Sequence, residues 1–239
     1  AIFVVFVPSI LSGYNIYVSS VITCIFIIVV TLLIVVGITR KGVCAAVGCA
    51  GGIAAAAIFT VAMSKILQLT GLTDEQSLYI TMLDSANIDL KALLFGAVLV
   101  GAVGAVLDIA MSLASALAEV SDQMKDEKKF KKLFRSGMTI GQDIMGTQMN
   151  TLIMAYIGSS LSVVILLVAS QTSLLSLMNQ EMIVEELMQA LIGSFGILFT
   201  IPLTSLFAAF LYSRKTKIDV NEETSVKQKK KKEIQAKES

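Results

Sequence analysis

The chain has 239 residues, of which 55% are hydrophobic and 15% charged; soluble domains carry about 25% charged residues, so an ordinary water-soluble globule is excluded. Its 19 basic and 18 acidic residues leave a net charge of +1, which by itself indicates neither an anionic nor a cationic partner. With no histidine in the sequence, a serine–histidine triad, a histidine-ligated zinc or haem and an imidazole proton switch are also excluded.

The first segment, AIFVVFVPSIL at residues 1–11, is apolar but shorter than the ~20 residues that cross a bilayer. It is read as a partial span, the end of a membrane helix that begins upstream. Five apolar runs of spanning length follow, at about 16–38, 43–67, 92–118, 144–169 and 187–212. They are continuously apolar, with small residues at helical spacing, whereas a membrane strand shows ~10 residues of strict alternation. The expected fold is therefore all-α: a polytopic transmembrane helical bundle over residues 1–213, with five full spans plus the truncated N-terminal one.

The basic residues cluster as Arg40 and Lys41, six from Lys125 to Arg135 and nine from Arg214 to Lys237, which leaves only Lys65 and Lys91. These two border the segment 69–90, which carries Asp74, Glu75, Asp84 and Asp89, and the segment 170–186 has no lysine or arginine. Alternate connections are thus basic. Under the positive-inside bias, the basic loops and the C-terminus face the cytoplasm, and every span alternates in direction. Charge placed at membrane edges indicates the lipid bilayer as partner and gives no reason to expect nucleic acid.

Within the outer segment, Thr73 and Gln76 form a capping box ahead of Leu78, Ile80 and Leu83, the pattern of a short surface helix. The tail, 214–239, contains KQKKKK at 227–232 and few apolar residues, and is expected to be a disordered cytoplasmic segment drawn to anionic headgroups. Cys24, Cys44 and Cys49 all lie in apolar runs, without the paired spacing of thiolate metal sites or disulfide frameworks. No metal and no cofactor are expected.

Polar residues inside the spans carry what chemistry there is. Gly101, Gly104, Asp108, Ser112, Ser115 and Glu119 fall along one helical stripe, with Asp108 deep in its span. Asp143, Thr147, Asn150 and Met154 form a second stripe, and Gly193, Gly196, Thr200 and Thr204 a third, beside Pro202, which frees the carbonyl of Leu198. Counting ~1.5 Å per residue puts Asp108, Asn150, Thr151, Thr200 and Thr204 near one depth, with Glu119 and Asp143 in a more cytoplasmic layer. The glycines at 101, 104, 193 and 196 are read as points of close helix approach.

A charge at the centre of a span costs at least ~2.5 kcal/mol, and no lysine or arginine lies in a span core to offset Asp108. A buried carboxyl in that position takes up a proton, a cation or water. Two readings follow: a proton or ion relay, with Asp108, Asn150, Thr151, Thr200, Thr204, Glu119 and Asp143 as its candidates, or a protonated Asp108 that fastens helices by hydrogen bonding Asn150. An enzyme is not expected. The acids stand in AVLD and GQD, not in the GxGD of intramembrane aspartyl proteases, and the depth count separates Asp143 from Asp108.

These same residues carry a resemblance. GAVGAVLDIAMSLASALAEV, GQDIMGTQMNTLIMAYIGSSL and EELMQALIGSFGILFTIPLTSLFAA resemble the YibE/F family of bacterial membrane proteins, from about Arg40 to Ala209. The resemblance implies a multi-pass protein of the bacterial cytoplasmic membrane, sometimes accompanied by a neighbouring homologue, so a homologous subunit or self-association is the expected protein partner. A more distant likeness, in helix order and a mid-membrane acid, is to the transmembrane halves of SecD, SecF and the RND superfamily, which couple proton flow to movement. It implies that Asp108 takes the proton-carrying position, although no basic companion is present. The two functional expectations are a proton- or ion-coupled transport subunit using a buried aspartate, and a non-catalytic assembly partner of a homologous multi-pass protein.

Overall fold

The computed structural model of the chain describes residues 2–12, 14–71, 89–124, 129–159, 161, 165, 168–169 and 181–237, with the side chains of 3, 11, 129, 182 and 214–237 left aside. After a π-helical turn at Ile2–Phe6 come α1 (Val7–Leu11), α2 (Ile16–Val35), α3 (Arg40–Ile66), α4 (Leu90–Gln123), α5 (Lys129–Ser159) and α6 (Glu181–Lys237). No strand occurs among the described residues.

Local chemistry sets the helix starts. Asn15 Oδ1 accepts a hydrogen bond from the Tyr17 amide at 3.0 Å, Thr39 Oγ1 from the Gly42 amide at 3.2 Å, and Asp89 Oδ1 from the Lys91 amide at 3.0 Å. Each satisfies an amide that the first turn leaves unpaired. Between α2 and α3 the chain reverses through Gly37 at φ +68°, a left-handed conformation that glycine adopts without a side-chain clash.

Helix α4 occupies the centre, packed on α2, α3 and α5, while α6 packs on α3, α4 and α5. The buried face of α4 is large and apolar: Val98, Leu99, Val103, Val106, Ile109, Leu113 and Leu117 lie in one continuous core. The seams around α6 use small residues instead. Gly48 of α3 faces Thr204, and Gly52 faces Thr200 and the Gly196 carbonyl. On the other side of α6, Gly137 of α5 faces Ser205, Gly141 faces Ile201, and Leu152 sits over Gly193. Removal of Cβ lets these backbones approach, the usual basis of helix association where water supplies no driving force. Stacked rings of Phe59 and Phe195, centroids 4.5 Å apart, close the α3–α6 seam nearer its other end.

These antiparallel contacts put the start of α3, the end of α4, the start of α5 and Ser213 of α6 at one end of the bundle. At the opposite end a carboxylate ties the chain together. Glu181 accepts hydrogen bonds from the Thr70 amide, from Thr70 Oγ1 at 2.7 Å and from the Gly71 amide at 2.7 Å. The clasp joins the residues after α3 to the first turn of α6.

Four helices are long and apolar enough to cross a membrane: Ile16–Val35, Arg40–Ile66, Leu90–Gln123 and Ile183–Ser213. The expected span at 144–169 is helical through Ser159 on the same rod as the basic stretch from Lys129, and most of its remainder lies outside the described residues. So does the capping box of Thr73 and Gln76. From Arg214 the backbone is helical to Lys237; lysine, glutamate and glutamine are good helix formers.

Candidate functional site

The three polar stripes do not converge. On α4, Gly101, Gly104, Asp108, Ser112, Ser115 and Glu119 are all exposed, while the neighbouring positions Val103, Val106, Leu107, Ile109 and Ala110 are buried. The stripe is thus the outer edge of a helix otherwise enclosed by protein. Asp108 is not buried, which corrects the expectation of an acid enclosed within this chain. The physical reason is the opposite face: its branched apolar side chains fill the space between α3 and α6 far better than a glycine–serine row does. Gly104 has nothing within 4 Å of where a Cβ would stand, and Gly101 has only the Tyr156 hydroxyl, at 3.2 Å.

The second stripe is also exposed: Asp143, Thr147, Asn150, Thr151 and Met154. Gly137, Gly141 and Leu152 seat α5 on α6, and at 100° per residue Asp143 and Asn150 point about 180° away from Gly141. Thr147 Oγ1 donates to the Asp143 carbonyl at 3.2 Å and Thr151 Oγ1 to the Thr147 carbonyl at 3.0 Å, so both hydroxyls are turned to their own helix. Only the third stripe faces inward. Gly193, Gly196, Thr200 and Thr204 are buried, Thr200 Oγ1 donates to the Gly196 carbonyl at 2.7 Å, and Thr204 Oγ1 and Ser205 Oγ are enclosed without a partner among the described residues. The expected layer of Asp108, Asn150, Thr151, Thr200 and Thr204 therefore does not form: two of its members line the α3–α6 seam and three lie on the surface.

Register between α4 and α5 revises the depths as well. Gly101 beside Tyr156 and Leu117 beside Gly137 make residues 146–149 level with Asp108 and residues 111–114 level with Asp143. The aspartates then differ by about 5–9 Å in depth, and Asp143 is level with Ser112 instead of Glu119. Glu119 lies a further two turns along, accepting a hydrogen bond from Gln123 Nε2 at 3.3 Å. The two acids are closer in depth than expected, and both are exposed on their helices.

Sequence reasoning missed two places. Glu186, taken as part of an outer loop, is half-buried on α6 within electrostatic reach of Tyr156, with Oε2 enclosed and unpartnered among the described residues. The second is a cavity of about 690 Å³ lined by Lys65 and Lys91, whose only signal in the sequence is that these are the two lysines outside the basic clusters. No group of three or more histidine, cysteine, aspartate or glutamate side chains able to hold a metal occurs among the described residues.

No curated protein and no solved structure matches the chain. The expected likeness to SecD, SecF and the RND superfamily is accordingly not shown. The model of the YibE/F-like proteins, by contrast, matches residues 1–214, taking in the N-terminal segment and first span as well as the stretch from Arg40, and the chain belongs to that family.

Proposed function

We propose that this protein is one subunit of a proton- or cation-translocating assembly in the bacterial cytoplasmic membrane, and that the Asp108 stripe becomes enclosed when a second copy or a homologous chain packs against α4. The observation that carries this reading is the exposure of Asp108 at mid-helix. It stands 18 residues from Leu90 and 15 from Gln123, about 27 Å and 23 Å from the two ends, which is the level of the hydrocarbon core. An aspartate facing lipid there costs at least ~2.5 kcal/mol, and polar stripes at that depth face protein or water.

The stripe's composition supports a protein cover. Gly101, Gly104, Ser112 and Ser115 allow a neighbouring helix to approach closely, and Asp108 then lies at the joint with the hydroxyls of Ser112 and Ser115 along the same line. A carboxyl that exchanges one proton or cation between two aqueous sides is a sufficient carrier site. The basic ends at Arg40, Lys41 and Arg135 support a cytoplasmic position for that end of the bundle and for the C-terminus.

A non-transporting assembly subunit uses the same interface, and the glycine and serine spacing favours it equally. Proton flux into membrane vesicles carrying the whole assembly separates the two. Transport requires that Asp108→Asn abolish flux while the protein accumulates and associates normally. An Asp108→Asn variant with full flux removes the carrier role and leaves assembly, because an amide and a protonated carboxyl hydrogen-bond alike.

A further inference from the structure

The first turn of α2, the last two turns of α3 and the first two turns of α4 line an open cavity, with Tyr17, Lys65 and Lys91 exposed at its mouth, at the end of the bundle opposite Arg40. Its walls include Tyr17, Ser64, Lys65, Lys91, Leu94 and Phe95, around a volume of about 690 Å³. Lys65 and Lys91 come from different helices and are the only basic residues outside the three clusters at the other end; the fold brings both to one cavity. We infer that this cavity is a binding site for a phosphate group carried on an apolar body, with Lys65 and Lys91 as its cationic ligands.

Four features converge on that chemistry. Two ammonium groups suit phosphate, which lysine binds as a point charge. The N-termini of α2 and α4, helices of 20 and 34 residues, add positive partial charge at the same end, offset in part by the C-terminus of α3 beside Lys65. Hydroxyls of Tyr17 and Ser64 supply neutral donors. One side of the wall is apolar: the rings of Tyr17 and Phe95 lie 5.1 Å apart at 55°, next to buried Leu94, while Thr60 and Gln68 add polar lining. Among the described residues, the acids at this end are already engaged: Asp89 caps α4 through the Lys91 amide, and Glu181 holds Thr70 and Gly71. A volume of this size exceeds a bare phosphate and falls in the range of pockets that take a headgroup or a small organic molecule.

Depth favours a membrane lipid as the source. Ile16, Ile66 and Leu90 are helix termini, so the cavity lies where the helices leave the hydrocarbon and where lipid phosphates sit. This inference is independent of Asp108 and of any transport.

Calorimetric titration of the full chain, purified in neutral detergent, with short-chain phosphatidylglycerol and with inorganic phosphate tests it. Phosphatidylglycerol is expected to bind, and Lys65→Gln/Lys91→Gln to weaken it by about twenty-fivefold, on the basis of about fivefold per cationic side chain. Lys65→Arg/Lys91→Arg and a control with Lys229 to Lys232 changed to Gln are expected to bind as the parent does. Ser64→Phe, which narrows the cavity and keeps both lysines, is expected to weaken binding. Inorganic phosphate that competes at millimolar concentration, with the same lysine dependence, upholds the phosphate site and makes its source a soluble phosphorylated compound. Equal binding of both probes by the parent and the double Gln variant, or binding of neither probe by the parent, overturns the assignment.

Discussion

Gly52→Ala tests the seam on which the bundle is built. A Cβ at Gly52 would overlap Thr200 Oγ1, stand 2.8 Å from the Gly196 carbonyl oxygen and 3.0 Å from Val106 Cγ1. Thr200 can turn away only by giving up its 2.7 Å hydrogen bond to Gly196, a loss of about 1 kcal/mol. The Gly196 oxygen is backbone and moves only if α3 and α6 separate, an overpacking strain of about 1–3 kcal/mol. Greater helix propensity returns about 1 kcal/mol. The net expectation is a destabilisation of about 1–3 kcal/mol, read as a lowered midpoint when the purified chain is unfolded by titrating denaturing into mild detergent. Gly104→Ala, with nothing within 4 Å of the new methyl, is the matched control and is expected to be neutral or slightly stabilising. A Gly52→Ala midpoint equal to the parent's refutes close approach of α3 and α6.

Gly104→Leu is expected to leave the stability of the isolated chain within about 0.5 kcal/mol while reducing association in the membrane, scored by cross-linking; unchanged association places the contact elsewhere. Glu181→Ala removes the acceptor for the Thr70 and Gly71 amides and is expected to cost about 1–3 kcal/mol, with faster hydrogen exchange at those two amides; unaltered exchange contradicts the clasp. Cys24, Cys44 and Cys49 are 0–1% exposed, so a maleimide is expected to label none of them until the protein unfolds, and labelling of the folded chain contradicts their place in the core.

Continuous apolar runs such as IIVVTLLIVV made four of the spanning-length helices legible, because helix is the only single-segment spanning form that satisfies its own backbone in lipid. The alternation of basic and acidic connections correctly set Arg40 against Lys65 at opposite ends of α3. Helical spacing also grouped each polar stripe on one face. Which body covers that face was not legible. Glycine, serine and aspartate at helical spacing read the same whether the neighbour is another helix of this chain or of a different chain. A signal lay on the other side of α4, where Val98, Val106, Leu113 and Leu117 offered more surface to bury than the stripe did. The four-residue spacing of Gly48 with Gly52 and of Gly137 with Gly141 marks close packing, but does not say which helix each pair meets. Lys65 and Lys91, 26 positions apart, share a cavity only once α3 and α4 are placed side by side.

The central claim, that a protein partner covers the Asp108 stripe in the membrane, is tested most directly by a nitroxide at Ser112, with Cys24, Cys44 and Cys49 too enclosed to take the label. Collisions with molecular oxygen report lipid and collisions with a water-soluble nickel complex report an aqueous path, and Ile58, 69% exposed on α3, provides the lipid-facing reference. In the assembled state the expected result is oxygen access at 112 well below that at 58, with measurable access for the nickel complex. Oxygen access at 112 equal to that at 58, with none for nickel, would mean that the stripe faces lipid and would contradict the account.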